Sequence, residues 1–172
     1  MTQSVNLDKY QPQTGTKSFQ KTPVIKKVLL IQPPAYTNNK RSYMNPNPPL
    51  GIAYIAAVLR KEGYEVSILD AFIEGWDRSE RITSEKLLVG ISFDEIRLRI
   101  EKLNPDLVGI TSMFTCQRKN VHQIAKIVKE ISINIPVIVG GAHPSAATSS
   151  VIQDKNIDFA VLGEGEPRVP RN

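Results

Sequence analysis

The sequence predicts an α/β fold: a doubly wound, five-stranded parallel sheet between two layers of helices. Short continuous apolar runs recur at Val28-Leu29-Leu30-Ile31, Val66-Ser67-Ile68-Leu69, Leu107-Val108-Gly109-Ile110, Pro136-Val137-Ile138-Val139 and Phe159-Ala160-Val161-Leu162, as expected of strands covered on both faces. Stretches of helical period lie between them. This alternation implies right-handed crossovers and a three-layer sandwich. With 172 residues, 41% hydrophobic and 23% charged, the chain is long enough to bury one core.

Residues 1–26 are polar, lack periodicity and contain Pro12, Gly15 and Pro23, so disorder or a loosely docked arm is expected there. The first strand follows, stopped by Pro33-Pro34. From Leu50, apolar residues recur at Ala53, Tyr54, Ala57 and Val58, predicting a helix that packs on the sheet through that stripe, with Gly63 at its end. After the second strand the pattern breaks between Asp70 and Gly90 into charges and a lone Trp76, which reads as an insertion. Ser92-Phe93-Asp94-Glu95 has the spacing of a capping box, with Ile96, Ile100 and Leu103 as the apolar face behind it. Val121, Ile124, Ala125 and Val128 stripe the helix between the third and fourth strands, and a short helix around Ser149 to Gln153 precedes the fifth.

Composition narrows the function classes. Of the formal charge of +5, residues 1–27 hold +4, from five lysines against Asp8. Nothing then marks the folded part as a nucleic-acid surface. At roughly 1 kcal/mol per basic residue on an anionic bilayer, such a tail reaches only about millimolar affinity, so it reads as solvated rather than membrane-bound. No apolar run spans a bilayer and the N-terminus has no apolar signal core, which predicts a cytoplasmic protein. The single Cys116 excludes an internal disulfide. With only Arg118 and Lys119 nearby as activating charges, it reads as a structural cysteine.

In a doubly wound sheet a ligand sits outside the carboxyl ends of the strands, where strand order reverses. For the flavodoxin-like order 2-1-3-4-5, the facing loops are Gln32-Pro33-Pro34-Ala35-Tyr36 and Thr111-Ser112-Met113-Phe114-Thr115, with Gly140-Gly141 beside them. Paired glycines let a backbone approach a flat ligand, or form a tight strand-to-helix turn. Hydroxyls at Thr111 and Ser112 can hydrogen-bond a ligand or cap a loop. Of the two histidines, His122 reads as a surface or flanking residue. His143, after the glycines, is the better functional candidate, and its plainer reading is a loop or cap residue.

Three runs together, Pro48-Pro49-Leu50-Gly51-Ile52-Ala53-Tyr54, Val139-Gly140-Gly141-Ala142-His143 and Gly163-Glu164-Gly165-Glu166, resemble the N-terminal cobalamin-binding domain of the cobalamin-dependent (class B) radical SAM enzymes. The resemblance covers residues 27–166. It implies that Thr111, Ser112, Gly140 and Gly141 line the channel for the nucleotide tail of cobalamin. It also implies a site completed by Pro33, Pro34, Tyr36, Met113, Phe114, His143, Gly163 and Glu164. Methyltransferases and mutases of this fold carry Asp-x-His-x-x-Gly after the first strand to ligate cobalt. Here that loop has no histidine and shows Pro33-Pro34, as the radical SAM relatives commonly do, which implies cofactor held base-off without a protein imidazole. Asp70-Ala71-Phe72-Ile73-Glu74-Gly75 mimics the histidine motif's spacing, but after the wrong strand, and reads as coincidence.

The resemblance also marks what this chain lacks. One cysteine cannot supply the three thiolates of a radical SAM 4Fe-4S cluster, so the cluster and its S-adenosylmethionine are not expected to bind. Residues 167–172 read as a truncated end, with the catalytic barrel encoded separately or lost. The expectation is a cofactor-holding module that does not catalyse alone, in a system performing methyl transfer or cyclisation. The alternative is a flavodoxin-like signalling or small-molecule module. Ile31-Gln32-Pro33 and Ile110-Thr111-Ser112 lack the acidic groups of a phospho-acceptor, and no Gly-x-Ser-x-Gly elbow supports a hydrolase.

Overall fold

The apolar runs become the strands of a five-stranded parallel sheet in a computed structural model that describes residues 24–38, 46–163 and 165. Most of the expected polar tail, Glu164 and the expected truncated end lie outside the described residues. In chain order the elements are β1 (Lys27–Gln32), β2 (Ala35–Asn38), α1 (Leu50–Lys61), β3 (Glu65–Asp70), β4 (Ser79–Arg81) and β5 (Lys86–Val89). There follow α2 (Phe93–Leu103), β6 (Leu107–Thr111), α3 (Arg118–Ile131), β7 (Val137–Gly140), α4 (Ala142–Ala146), α5 (Thr148–Ile152) and β8 (Phe159–Ala160). The main sheet runs β3-β1-β6-β7-β8, all pairs parallel, which is the predicted flavodoxin-like order with its reversal between β1 and β6.

Alternation along β1 divides the core. Leu29 and Ile31 point into the larger cluster with Val108, Ile110, Val137 and Val139, closed by Ile96 and Ile100 of α2 and by Val121, Ile124, Ala125 and Val128 of α3. Each fully buried Val, Leu or Ile among these contributes roughly 1.5–3 kcal/mol. Val28 and Leu30 point the other way, into a smaller cluster with Val66 and α1. Ser92 caps α2 as expected, its Oγ accepting from the Glu95 amide at 3.2 Å.

Three details differ from the sequence reading. Helix α1 buries Ile52 and Ala56, with Ile55 and Leu59 packed beside them, and leaves Leu50 and Tyr54 exposed. Both stripes have helical spacing, and the one that wins sets Ile52, Ile55 and Leu59 against the sheet, where the other would set two alanines and the polar-tipped Tyr54. Ala35–Asn38, expected as loop, is a strand. It pairs antiparallel with β5, and β5 with β4, so the 70–90 insertion builds a three-stranded sheet with it. Gly75 makes this possible, because a Cβ there would stand 2.1 Å from the Gly90 carbonyl carbon. Phe72 and Trp76 stack edge to face within the insertion at 5.2 Å.

At the amino end of the sheet, Lys129 of α3 donates from Nζ to Asp158 Oδ2 at 2.6 Å and to the Ile135 carbonyl at 2.7 Å, and the same carboxylate oxygen accepts from the Val137 amide at 2.8 Å. Both side chains are largely buried. Removing one partner strands a buried charge, so Lys129→Met should lower unfolding stability by about 3 kcal/mol, read as a reduced midpoint in urea with little change in slope.

Candidate functional site

The carboxyl ends of β1, β6, β7 and β8 gather most of the residues singled out from sequence. At the end of β6, the Ser112 amide donates to the Gly140 carbonyl at 2.7 Å, and the Ser112 carbonyl accepts from the His143 amide at 2.9 Å. Ser112 is only 2% exposed, yet its Oγ has no hydrogen-bond partner among the described residues. A buried hydroxyl without a partner costs roughly 1–3 kcal/mol.

The two glycines separate in role. A Cβ at Gly140 would meet only the Val161 Cβ, at an ordinary 3.8 Å. At Gly141 it would lie 2.7 Å from the Ser112 carbonyl oxygen, and the backbone there has φ +113°, a region that side chains rarely enter. Gly141 therefore serves the turn, whereas a side chain at Gly140 would make only an ordinary contact with Val161. Thr111 pairs with Gly140 across β6 and β7. Beyond Ser112, Met113 and Phe114 are exposed apolar side chains at 52% and 67%.

His143 corrects the sequence reading. It is neither loop nor cap but lies buried in α4, 2% exposed. Its Nδ1 is 3.1 Å from Thr115 Oγ1 and its Nε2 is 3.4 Å from Ser150 Oγ, so both ring nitrogens are occupied. Burial first, then the positive charge of Arg118 and His122, holds its pKa below the ordinary histidine value, favouring the neutral ring. His122 is also tied, through Nδ1 to Asp154 Oδ2 at 2.6 Å. Cys116 is exposed, so the structural reading of that thiol is wrong: the three-residue turn of Thr115–Gln117 carries it outward.

On the β1 side, Pro34 is buried and Pro33 and Tyr36 are half-buried. Burial, then the charge of Glu80, raises the Tyr36 hydroxyl pKa, and Lys86 Nζ sits 4.2 Å from its ring centre. Asp70, in the motif that reads as coincidence, shapes the turn after β3, where its Oδ1 accepts from the Phe72 and Ile73 amides. Burial outweighs those bonds and raises its pKa. Gly163 is exposed and donates its amide to Ser145 Oγ at 3.0 Å. Glu164 lies outside the described residues. No cluster of three potential metal ligands occurs among the described residues, and no helix among them is long and apolar enough to cross a membrane.

Comparison with known proteins places these features. The B12 binding domain family matches residues 40–171. A cytidylyl-2-hydroxyethylphosphonate methyltransferase of Streptomyces wedmorensis is 39% identical over 142 residues, covering 81% of this chain and 26% of that protein. An anaerobic magnesium-protoporphyrin IX monomethyl ester cyclase of Rubrivivax gelatinosus is 31% identical over 142 residues, 81% of this chain and 22% of its own length. The chain thus spans roughly a quarter of these relatives. A cobalamin-binding protein of Desulfitobacterium hafniense shares the fold, with a TM-score of 0.54 at 14% identity over 83% of this chain and 55% of that one.

Two outcomes follow from the geometry. Gly140→Ala should fold with stability near that of the unmodified chain, whereas Gly141→Ala should lose about 2 kcal/mol or more from backbone strain, read by thermal and urea unfolding. For His143, the folded pKa lies below the unfolded value of 6.5, so the unfolded chain binds more protons once pH falls below about 6.5 and stability declines there. Unfolding midpoints at about pH 7.5 and about pH 5.5 should show a drop in the unmodified chain that is smaller in His143→Gln.

Proposed function

Because the chain belongs to the B12 binding domain family, we propose that it holds cobalamin base-off at the carboxyl ends of β6, β7 and β8, as the cofactor module of a radical SAM methyltransferase or cyclase system. The observation that carries this is the Ser112 hydroxyl, buried and without a partner among the described residues, beside Gly140. A hydroxyl both donates and accepts, which suits the polar nucleotide tail. Gly140, without a Cβ, lets a flat group come nearer to its backbone than a larger residue would. The exposed Met113 and Phe114 offer apolar surface at the same edge. The names of the Streptomyces and Rubrivivax relatives, a methyltransferase and a cyclase, support the reaction class.

The residues present fit the cofactor without an axial imidazole. The described part of the loop after β1 carries prolines and Tyr36 but no histidine, and His143 is buried with both nitrogens engaged. Bound cobalamin would supply a cobalt centre able to carry a methyl group or electrons. The chain's own part is to hold the tail through Ser112, Thr111 and Gly140. His143, through its amide to the Ser112 carbonyl, keeps that edge in place.

Titration with hydroxocobalamin should give a retained cofactor whose absorbance is that of cobalt without benzimidazole ligation. Ser112→Ala should weaken retention about tenfold, as for one hydrogen bond of about 1.4 kcal/mol. A base-on spectrum for the bound cofactor would refute the base-off assignment, and no retention at high micromolar concentration would refute the cofactor itself.

A further inference from the structure

Pro34 and strand β2, which follow β1, are tied to the start of α3 by two side chains that the cofactor reading does not use. Gln117 faces the Tyr36 backbone in both directions: the Tyr36 amide donates to Gln117 Oε1 at 2.8 Å, and Gln117 Nε2 donates to the Tyr36 carbonyl at 3.0 Å. A side-chain amide thus forms the two-bond rung that a neighbouring strand would otherwise supply. One turn further along α3, Asn120 donates from Nδ2 to the Pro34 carbonyl at 2.6 Å and to Gln117 Oε1 at 3.4 Å. Its side chain is fully buried, 0% exposed. These contacts join residues 81 and 86 positions apart.

We propose that Gln117 and Asn120 are positioning residues of the cofactor site, locking the Pro33–Tyr36 wall at a fixed separation from the Met113–Phe114 wall. The inference rests on the cobalamin reading and adds what sets the width of that site. Pro33 and Pro34 have no N–H to give, so the loop cannot be held at those residues by its own amides. Its remaining backbone groups at Pro34 and Tyr36 are the ones the two amide side chains engage. Asn120 is an unusual choice for this place, because its Oδ1 is buried with no partner among the described residues. An orphaned acceptor is unfavourable, and it is offset in the fold only if the Nδ2 contacts are worth having. A leucine would fill the same space without it.

The test separates positioning from general stability. Gln117→Leu removes both bonds at a half-buried surface position. Gln117→Glu keeps the acceptor for the Tyr36 amide. Lys129→Met, at the far end of α3, is a comparator that destabilises the fold without touching the site. Hydrogen exchange, hydroxocobalamin affinity and the visible circular dichroism of saturated cofactor are measured for each, under conditions where all remain folded.

For Gln117→Leu the Tyr36 amide should exchange at least about tenfold faster, affinity should fall about tenfold, and the dichroism of the bound corrin should change. Gln117→Glu should fall between that variant and the unmodified chain, and Lys129→Met should match the unmodified chain in affinity and dichroism. Unaltered affinity and dichroism in Gln117→Leu would overturn the inference while leaving the cofactor reading intact. An equal loss in Lys129→Met would overturn it too, by showing that lowered stability alone weakens binding. If the unmodified chain retains no cobalamin, the cofactor reading fails and this inference fails with it.

Discussion

Gly141 lies so close to Ser112 that a single added methyl group would stand 2.7 Å from the Ser112 carbonyl oxygen. Around that approach the Ser112 amide and carbonyl are spent on Gly140 and His143, which fixes the end of β6 against the β7–α4 turn. Everything else at the edge is placed relative to this contact. His143, buried there, gives its amide to Ser112 and its ring nitrogens to Thr115 and Ser150. The hydroxyl of Ser112 is left without a partner among the described residues. A larger residue at 141 would push the turn outward and open this network.

The two faces of the sheet are unequal, and that also bears on the site. The face covered by α2 and α3 carries the larger cluster, in which Ile31, Ile96, Ile100, Val108, Ile124 and Val139 are fully buried. On the other face α1 covers β3 and β1 through Ile52 and Ala56. The register puts Gly109, Ile138 and Phe159 in one row on that side, and Phe159 remains 53% exposed. Gly165 comes back beside Ile55, where a Cβ would stand 3.1 Å from its Cδ1. Gly165, beyond β8, thus lies against α1.

The main sheet was legible because parallel strands covered on both faces must be apolar throughout, and runs such as Val28–Ile31 have no other easy reading. The α3 stripe was legible for a related reason: a single set of apolar positions fits the period. In α1 two stripes compete, and only the sheet decides between Tyr54 and Ile55. The small sheet was not legible, since β4 is wholly exposed and polar and β2 hides behind two prolines. Thr111, Ser112, Gly140 and Gly141 do come together as the sequence implied, but sequence could not divide the labour between the glycines. Nor could it show Lys129 meeting Asp158, or Gln117 meeting Tyr36. Those residue types are ordinary on a helix surface, and only the fold brings their partners within reach.

The proposed site then has two walls of different chemistry. On the β1 side, Pro33 and Pro34 lack amides, the Pro34 carbonyl is taken by Asn120, and both backbone groups of Tyr36 are taken by Gln117. Those backbone groups of the wall are thus engaged within the fold. On the β6–β7 side the Ser112 hydroxyl is buried without a partner among the described residues, and Gly140 carries no Cβ. In the proposed reading, hydrogen-bond recognition of a polar tail falls to this second wall. In that same reading, the bonds that hold the proline segment in place therefore leave the grip on the cofactor tail to the second wall.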